Sequence, residues 1–156
     1  NDIDRNTGEM VQNAIEFSES SAKDVMTSWE NVVCISADMP ADDAAQFIRN
    51  CGHSRLPVTN DSGNVIGTLS IRRFLKRYIK DQGNTSVREV MSTPEFIPVS
   101  TPVDDLLGAL SQKRTHLAYI KSDNKVLGII TVEDILEELV GEIYDEEDVI
   151  GGDTAV

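Results

Sequence analysis

Cysteine is almost missing from this chain: only Cys34 and Cys51 occur, with no C-x-x-C pair and no histidine at zinc-ligand spacing. That count excludes a disulfide framework and a Cys/His zinc site. Cys34 stands in an apolar run and reads as a small buried hydrophobe. Long apolar runs are missing too, so no stretch is suited to crossing a bilayer as a helix. No secretory segment opens the chain, and its start at Asn1 in place of Met reads as an internal piece of a longer protein. Basic residues are few: 14 Lys and Arg face 27 Asp and Glu, for a formal net charge of -13. Nucleic-acid binding draws on clustered basic side chains that release counterions, so no nucleic acid is expected as a partner. Catalytic patterns are also missing, with no Ser-His-Asp or Cys-His arrangement and no G-x-x-x-x-G-K-S/T loop. His53 and His116 are the only histidines. No catalytic residue and no metal site are therefore expected.

What the sequence does contain is a duplication. Lys23-Asp24-Val25-Met26 returns as Arg88-Glu89-Val90-Met91, Pro40-Ala41-Asp42-Asp43 as Pro102-Val103-Asp104-Asp105, and Gly67-Thr68-Leu69-Ser70 as Gly128-Ile129-Ile130-Thr131. Order is kept while the offset drifts from 65 to 62 to 61 residues, and a repeat fixes architecture more firmly than local propensity does. In the first copy, β-branched Val32-Val33-Cys34-Ile35 predicts a strand, and Pro40 opens a helix through Arg49. A strand around Leu56-Pro57-Val58, the turn Asn60-Asp61-Ser62-Gly63, a strand from Val65 to Leu69 and a helix from Ile71 to about Lys80 follow. The second copy repeats this with a strand Ile97 to Val99, a helix Pro102 to Arg114, strands Leu117 to Ile120 and Val126 to Ile130, and a closing helix. Val132, Ile135, Leu136, Leu139, Val140 and Ile143 form one apolar stripe on that helix. The expected fold is α/β: two β-α-β-β-α repeats packed as a pseudo-twofold pair, since a unit of about 55 residues buries little surface alone. An extra N-terminal helix is expected over Glu9 to Phe17. The expected divisions are 1–19 for that helix and its linker, 20–81 and 84–143 for the copies, and 144–156 for an acidic tail.

These motifs resemble a known family. The duplicated unit, with Gly-apolar-apolar-Ser/Thr ahead of a helix and Asp three residues after the hydroxyl, is similar to tandem CBS domains paired as a Bateman module, over roughly residues 20 to 143. A narrower resemblance is to the CorC and hemolysin-C-like membrane proteins, relatives of the cyclin-M magnesium transporters. It is carried by Ala22 to Thr27, by Ser54-Arg55-Leu56-Pro57-Val58, and by Gly128 to Ile143 with the trailing Asp145-Glu146-Glu147-Asp148. Ser28-Trp29 and Lys121-Ser122-Asp123-Asn124 depart from that narrower pattern, which has Pro-Arg and an acidic turn there. The resemblance implies a regulatory module that binds ATP or AMP, with Mg²⁺ accompanying ATP. It also implies a homodimer, and a cytoplasmic part attached to the membrane domain of a magnesium or cobalt transporter.

Thr131 and Asp134 are the leading site candidates. By the resemblance this hydroxyl and carboxylate hold the ribose of an adenine nucleotide in a cleft shared by the copies. The residues alone leave a second reading open, because Ser/Thr-x-x-acid before an apolar helix is also a capping box. In the first copy Ser70 keeps the hydroxyl and Arg73 replaces the acid, which predicts one competent site and one degenerate one. The family pattern adds Thr27, Val33, His53, Ser54, Arg55 and Pro57 from the first copy and His116 and Ile130 from the second, with Arg55 the candidate donor to phosphate. Arg72, Arg73, Lys76, Arg77 and Lys80 form a basic stripe that reads as a solvated face or as a surface for phosphates, an acidic neighbour or lipid headgroups. A ligand-free structural or dimerisation module is the alternative function.

Overall fold

The computed structural model describes residues 20–151, with side chains as far as Gly141. The helix expected over Glu9 to Phe17 lies outside the described residues. Along the chain the elements are α1 (Ala22–Val25), β1 (Thr27–Ser28), a 3-10 turn (Trp29–Asn31), β2 (Ile35–Ser36), α2 (Ala41–Arg49), β3 (Arg55–Thr59), β4 (Val65–Ser70), α3 (Ile71–Lys80), α4 (Val87–Val90), β5 (Phe96–Pro98), α5 (Val103–Gln112), β6 (Leu117–Ser122), β7 (Lys125–Thr131) and α6 (Val132–Gly151). The duplicated β-α-β-β-α order is observed. The strand expected at Val32 to Cys34 is shorter and later: the 3-10 turn precedes it, and only Ile35–Ser36 pair with a neighbour. Asp145 to Asp148, expected in a tail, continue α6.

Two compact units emerge, one from Asn31 to Glu95 and one from the chain on either side of that segment. We call them the first-copy and second-copy units. In the first, the sheet order is β2-β3-β4, with β2 parallel and β4 antiparallel to β3. In the second, the order is β1-β7-β6-β5, with β5 parallel to β6 and β7 antiparallel to it. Both hairpins slip by one residue, between Val58 and Thr59 and between Ile120 and Lys121. An extra residue on one strand leaves Ile66 and Leu127 unopposed, a bulge that increases local twist. The same irregularity at matching positions is the duplication written in backbone geometry.

The units exchange their leading segments. Residues before the first copy, α1 and β1, belong to the second-copy unit: Thr27 and Ser28 pair with Ile129 and Gly128, and Ala22 is fully buried in that core with Ile97, Leu106, Leu110 and Ile130. Residues before the second copy belong to the first-copy unit. There Val87 and Val90 of α4 are buried with Leu56, Val58, Leu69 and Phe74, and Ser92 exchanges two backbone hydrogen bonds of 2.9 Å with Thr68. Burying each valine contributes on the order of 1.5–3 kcal/mol.

This crossing explains the repeated glycines. A Cβ on Gly128 would overlap the Thr27 carbonyl oxygen and sit 2.8 Å from Met26 Sδ; one on Gly67 would sit 2.6 Å from Met91 Sδ. The crossing also accommodates Pro57 inside a strand. Its partner across the hairpin, Thr68, spends both backbone groups on Ser92, so Pro57 stands at a non-hydrogen-bonded pair.

Polar ties hold the first-copy unit further. The Tyr78 hydroxyl of α3 donates to Asp42 on α2, which pushes the phenol pKa up. Arg88 of α4 grips Asp38 through two contacts of 3.0 and 3.4 Å, and this hydrogen bonding lowers the carboxylate pKa below 3.8.

Candidate functional site

The β7-to-α6 junction is the chemically richest point of the second-copy unit. Strand β7 ends at Thr131, opposite Leu117, and the Val132 N–H donates to the His116 carbonyl at 3.0 Å. That bond fixes where the sheet stops and the helix starts. The Asp134 N–H then donates to Thr131 Oγ1 at 3.1 Å, and the Thr131 N–H donates to Asp134 Oδ2 at 3.3 Å. This is a complete capping box: two N–H groups at the helix start are satisfied reciprocally. It engages one lone pair of the hydroxyl and one carboxylate oxygen. The hydroxyl proton and Asp134 Oδ1 take no part in it, so both can face a vicinal diol without undoing the cap.

The matching junction of the first-copy unit has the same frame and half the chemistry. The Ile71 N–H donates to the Ser54 carbonyl at 3.0 Å, Arg55 stands opposite Ser70, and the Arg73 N–H donates to Ser70 Oγ at 3.3 Å. Arg73 has no acceptor to return the bond. Capping hydrogen bonds within a Ser-x-x-acid pattern also form at the starts of α1 and α4, outside the candidate site. The Ser21 N–H donates to Asp24 Oδ2 at 2.9 Å, and Ser86 Oγ accepts from the Glu89 N–H at 3.2 Å.

The sequence-predicted site residues fall in two sets. Thr27, His116, Ile130, Thr131 and Asp134 belong to the second-copy unit; Val33, His53, Ser54, Arg55 and Pro57 belong to the first. Within the second set, Thr27 lies beside β7 opposite Ile129, and His116 adjoins the helix start. Ile130 is fully buried in its own unit's core, so only its backbone can meet a ligand there. Thr131 and Asp134 are half-buried, whereas His116 is exposed. In the first set His53 and Ser54 are exposed, Val33 is 39% exposed, Arg55 is half-buried and Pro57 is buried.

A shallow concavity of about 560 Å³ opens between the end of α5 and the start of α6, lined by residues that include Arg114, Thr115, His116 and Val132. Arg114 was not singled out from the sequence, since nothing in its spacing marks it. Its positive φ of 53° ends α5 and brings it to this wall. Among the described residues, no cluster of His, Cys, Asp and Glu is arranged to hold a metal ion. Burial raises the Cys34 thiol pKa, as befits a packing residue more than a nucleophile.

Two β-α-β-β-α units with a hydroxyl and a carboxylate at the last strand-to-helix junction define a class. The CBS domain profile matches residues 22–80 and 87–141, and the chain belongs to the CBS-domain family as a tandem pair. Similar curated proteins include the magnesium and cobalt efflux protein CorC of Pasteurella multocida, 32% identical over 148 residues covering 94% of this chain and 49% of that protein. Another is UPF0053 protein Rv2366c of Mycobacterium tuberculosis, 31% identical over 144 residues covering 89% of this chain and 33% of that protein. This chain therefore spans from a third to about half of such relatives. Among solved structures, it is similar to the CBS domain of the bacterial CNNM/CorC family Mg²⁺ transporter in complex with ATP, at 26% identity and a TM-score of 0.75, covering 87% of this chain and 98% of that one.

Proposed function

We propose that this chain is an adenine-nucleotide-binding regulatory module of a CorC-like membrane transporter of magnesium or cobalt. The observation that carries the reading is the difference between two equivalent junctions: Thr131 with Asp134 after β7, against Ser70 with Arg73 after β4. A carboxylate beside a hydroxyl suits the two hydroxyls of a ribose, and an arginine in its place does not. The remaining roles follow the resemblance: Val33, His53, Ser54, Arg55 and Pro57 complete the ligand contacts, with Arg55 donating to phosphate. ATP is the first candidate, with Mg²⁺ offsetting the repulsion between a triphosphate and a chain of net charge -13; AMP is the second. The module acts as a homodimer on the cytoplasmic side, and nucleotide occupancy biases two arrangements through differential affinity. Its output is binding, not turnover. Among the described residues no helix is long and apolar enough to cross a membrane.

A thermal shift with ATP, ADP and AMP, with and without Mg²⁺, tests this. A ligand at one hundred times its Kd stabilises the fold by about 2.7 kcal/mol. Nucleotide hydrolysis that Asp134→Asn abolishes would reverse the non-enzymatic assignment. One observation favours a ligand-free structural module instead: the pattern at Thr131 and Asp134 recurs as helix capping at Ser21 and Ser86. No shift with any nucleotide at millimolar concentration selects that reading.

A further inference from the structure

The sheet of the second-copy unit has two faces. Side chains alternate along a strand, and Ile130, Ala118, Ile120 and Ile97 turn into the core. Thr131 and Ile129 on β7, Tyr119 on β6, Phe96 on β5 and Thr27 on β1 therefore share the opposite face, set side by side by the strand register. Thr131 stands at one end of it. Two residues back along β7, about 7 Å away, Ile129 marks the level of Tyr119 and Thr27. Trp29 follows Thr27 by two residues and brings its indole against Tyr119, with ring centroids 6.4 Å apart and planes at 66°. Phe96, on the neighbouring strand, meets Tyr119 at 5.8 Å and has Lys121 Nζ 4.8 Å from its own ring centre.

Of these three rings Trp29 is the one best placed to take a ligand. Tyr119 is fully buried, and Lys121 occupies one side of Phe96. An edge-on contact leaves at least one face of the indole unused, and Trp29 is half-buried. Anchoring β1 to its unit accounts for the contact with Tyr119. It does not account for a flat aromatic surface left open beside the face that carries Thr131. Ser28-Trp29 is also where this chain departs from the narrower family pattern, so the indole is a feature of this chain in particular. We infer that Trp29 seats the base of the bound nucleotide: with the ribose at Thr131 and Asp134, the base extends along this face and stacks on the indole. This rests on the nucleotide reading given above and adds the residue that selects the base. Every base has a π-face and purines present the larger one, so Trp29 favours ATP and AMP over pyrimidine nucleotides.

Trp29 is the only tryptophan of the chain, so its emission reports on this ring alone. Titration with ATP or AMP quenches the emission, with the same midpoint as the thermal shift. Ribose 5-phosphate and inorganic tripolyphosphate, which lack a base, leave it unchanged. Trp29→Phe keeps an aromatic face and binds ATP within about threefold of the parent, whereas Trp29→Leu weakens ATP binding about tenfold or more and narrows the gap between ATP and UTP. That gap is a readout a purely structural anchor would not move. A thermal shift with ATP while the emission stays constant overturns the inference and leaves the nucleotide reading standing. Quenching by tripolyphosphate equal to that by ATP reports a moving turn and also overturns it, as does a Trp29→Leu variant with the parental ratio of ATP to UTP affinity. If Trp29→Leu does not fold, the parent titrations and Trp29→Phe decide. Neither thermal shift nor quenching with any nucleotide removes the nucleotide reading together with the inference.

Discussion

The junctions after β4 and β7 share a backbone, a bulged hairpin, a capping hydroxyl and a glycine under a crossing segment, yet they carry opposite charge. A duplicated unit keeps what the fold requires and varies what it does not. Gly67 and Gly128 are kept because the segment that precedes the other copy in sequence, folded into the glycine's own unit, passes directly over each. Arg73 and Asp134 differ because a helix needs only the hydroxyl to start, and the acid is an addition.

The comparison breaks most visibly at the glycines. Gly128→Ala forces a Cβ into the Thr27 backbone and costs about 3 kcal/mol, whereas at Gly67 the obstacle is chiefly the flexible Met91 side chain and the cost is about 1 kcal/mol. Urea denaturation of both variants measures the difference. Next comes the ligand. Asp134→Ala removes the nucleotide-dependent stabilisation of about 2.7 kcal/mol, and Arg73→Ala leaves it in place, as read by thermal shift at fixed nucleotide. Removing the caps is milder: Thr131→Ala and Ser70→Ala each cost about 1 kcal/mol by the same denaturation.

The smallest effect is at Asp38, which has no counterpart salt bridge among those described in the second-copy unit. Arg88 holds its folded pKa below the 3.8 of a free side chain. The unfolded chain therefore binds the proton first, so this pair's contribution is present above pH 3.8 and fades as pH falls through the lowered folded value. Asp38→Asn flattens that part of the acid limb in a pH series: its small loss of stability is full at neutrality and disappears at low pH, where the parent has lost the pair as well.

Much of the fold was legible because its signals are local or repeated. Helix α3 spans Ile71–Lys80 as expected, and the turn at Asn60 is held by its Oδ1, which accepts from the Ser62 and Asn64 N–H groups. The exchanged segments were not legible. Four-residue helices show no periodicity, and the partner of Thr27 is Ile129, 102 positions along the chain. Val32 to Cys34 have strand propensity, but β2 pairs with β3 only from Ile35 on, so tertiary pairing overrides propensity. At the candidate site the spacing of Thr131 and Asp134 named a capping pair, while their ligand role came from the family resemblance. That Ile130 turns into its own core depends on strand register, which the sequence does not specify.

The exchange of leading segments also dictates an order of assembly. The first-copy unit is one continuous stretch, Asn31–Glu95, complete once Ser92 can reach Thr68. The second-copy unit must keep Ala22–Ser28 waiting until β7 has been made, so its earliest residues are among its last to dock. On a ribosome, where the N-terminal part emerges first, the middle of this chain closes before its two ends meet. A cut in the connector between the copies therefore yields two fragments that each lack a strand-crossing piece held by the other.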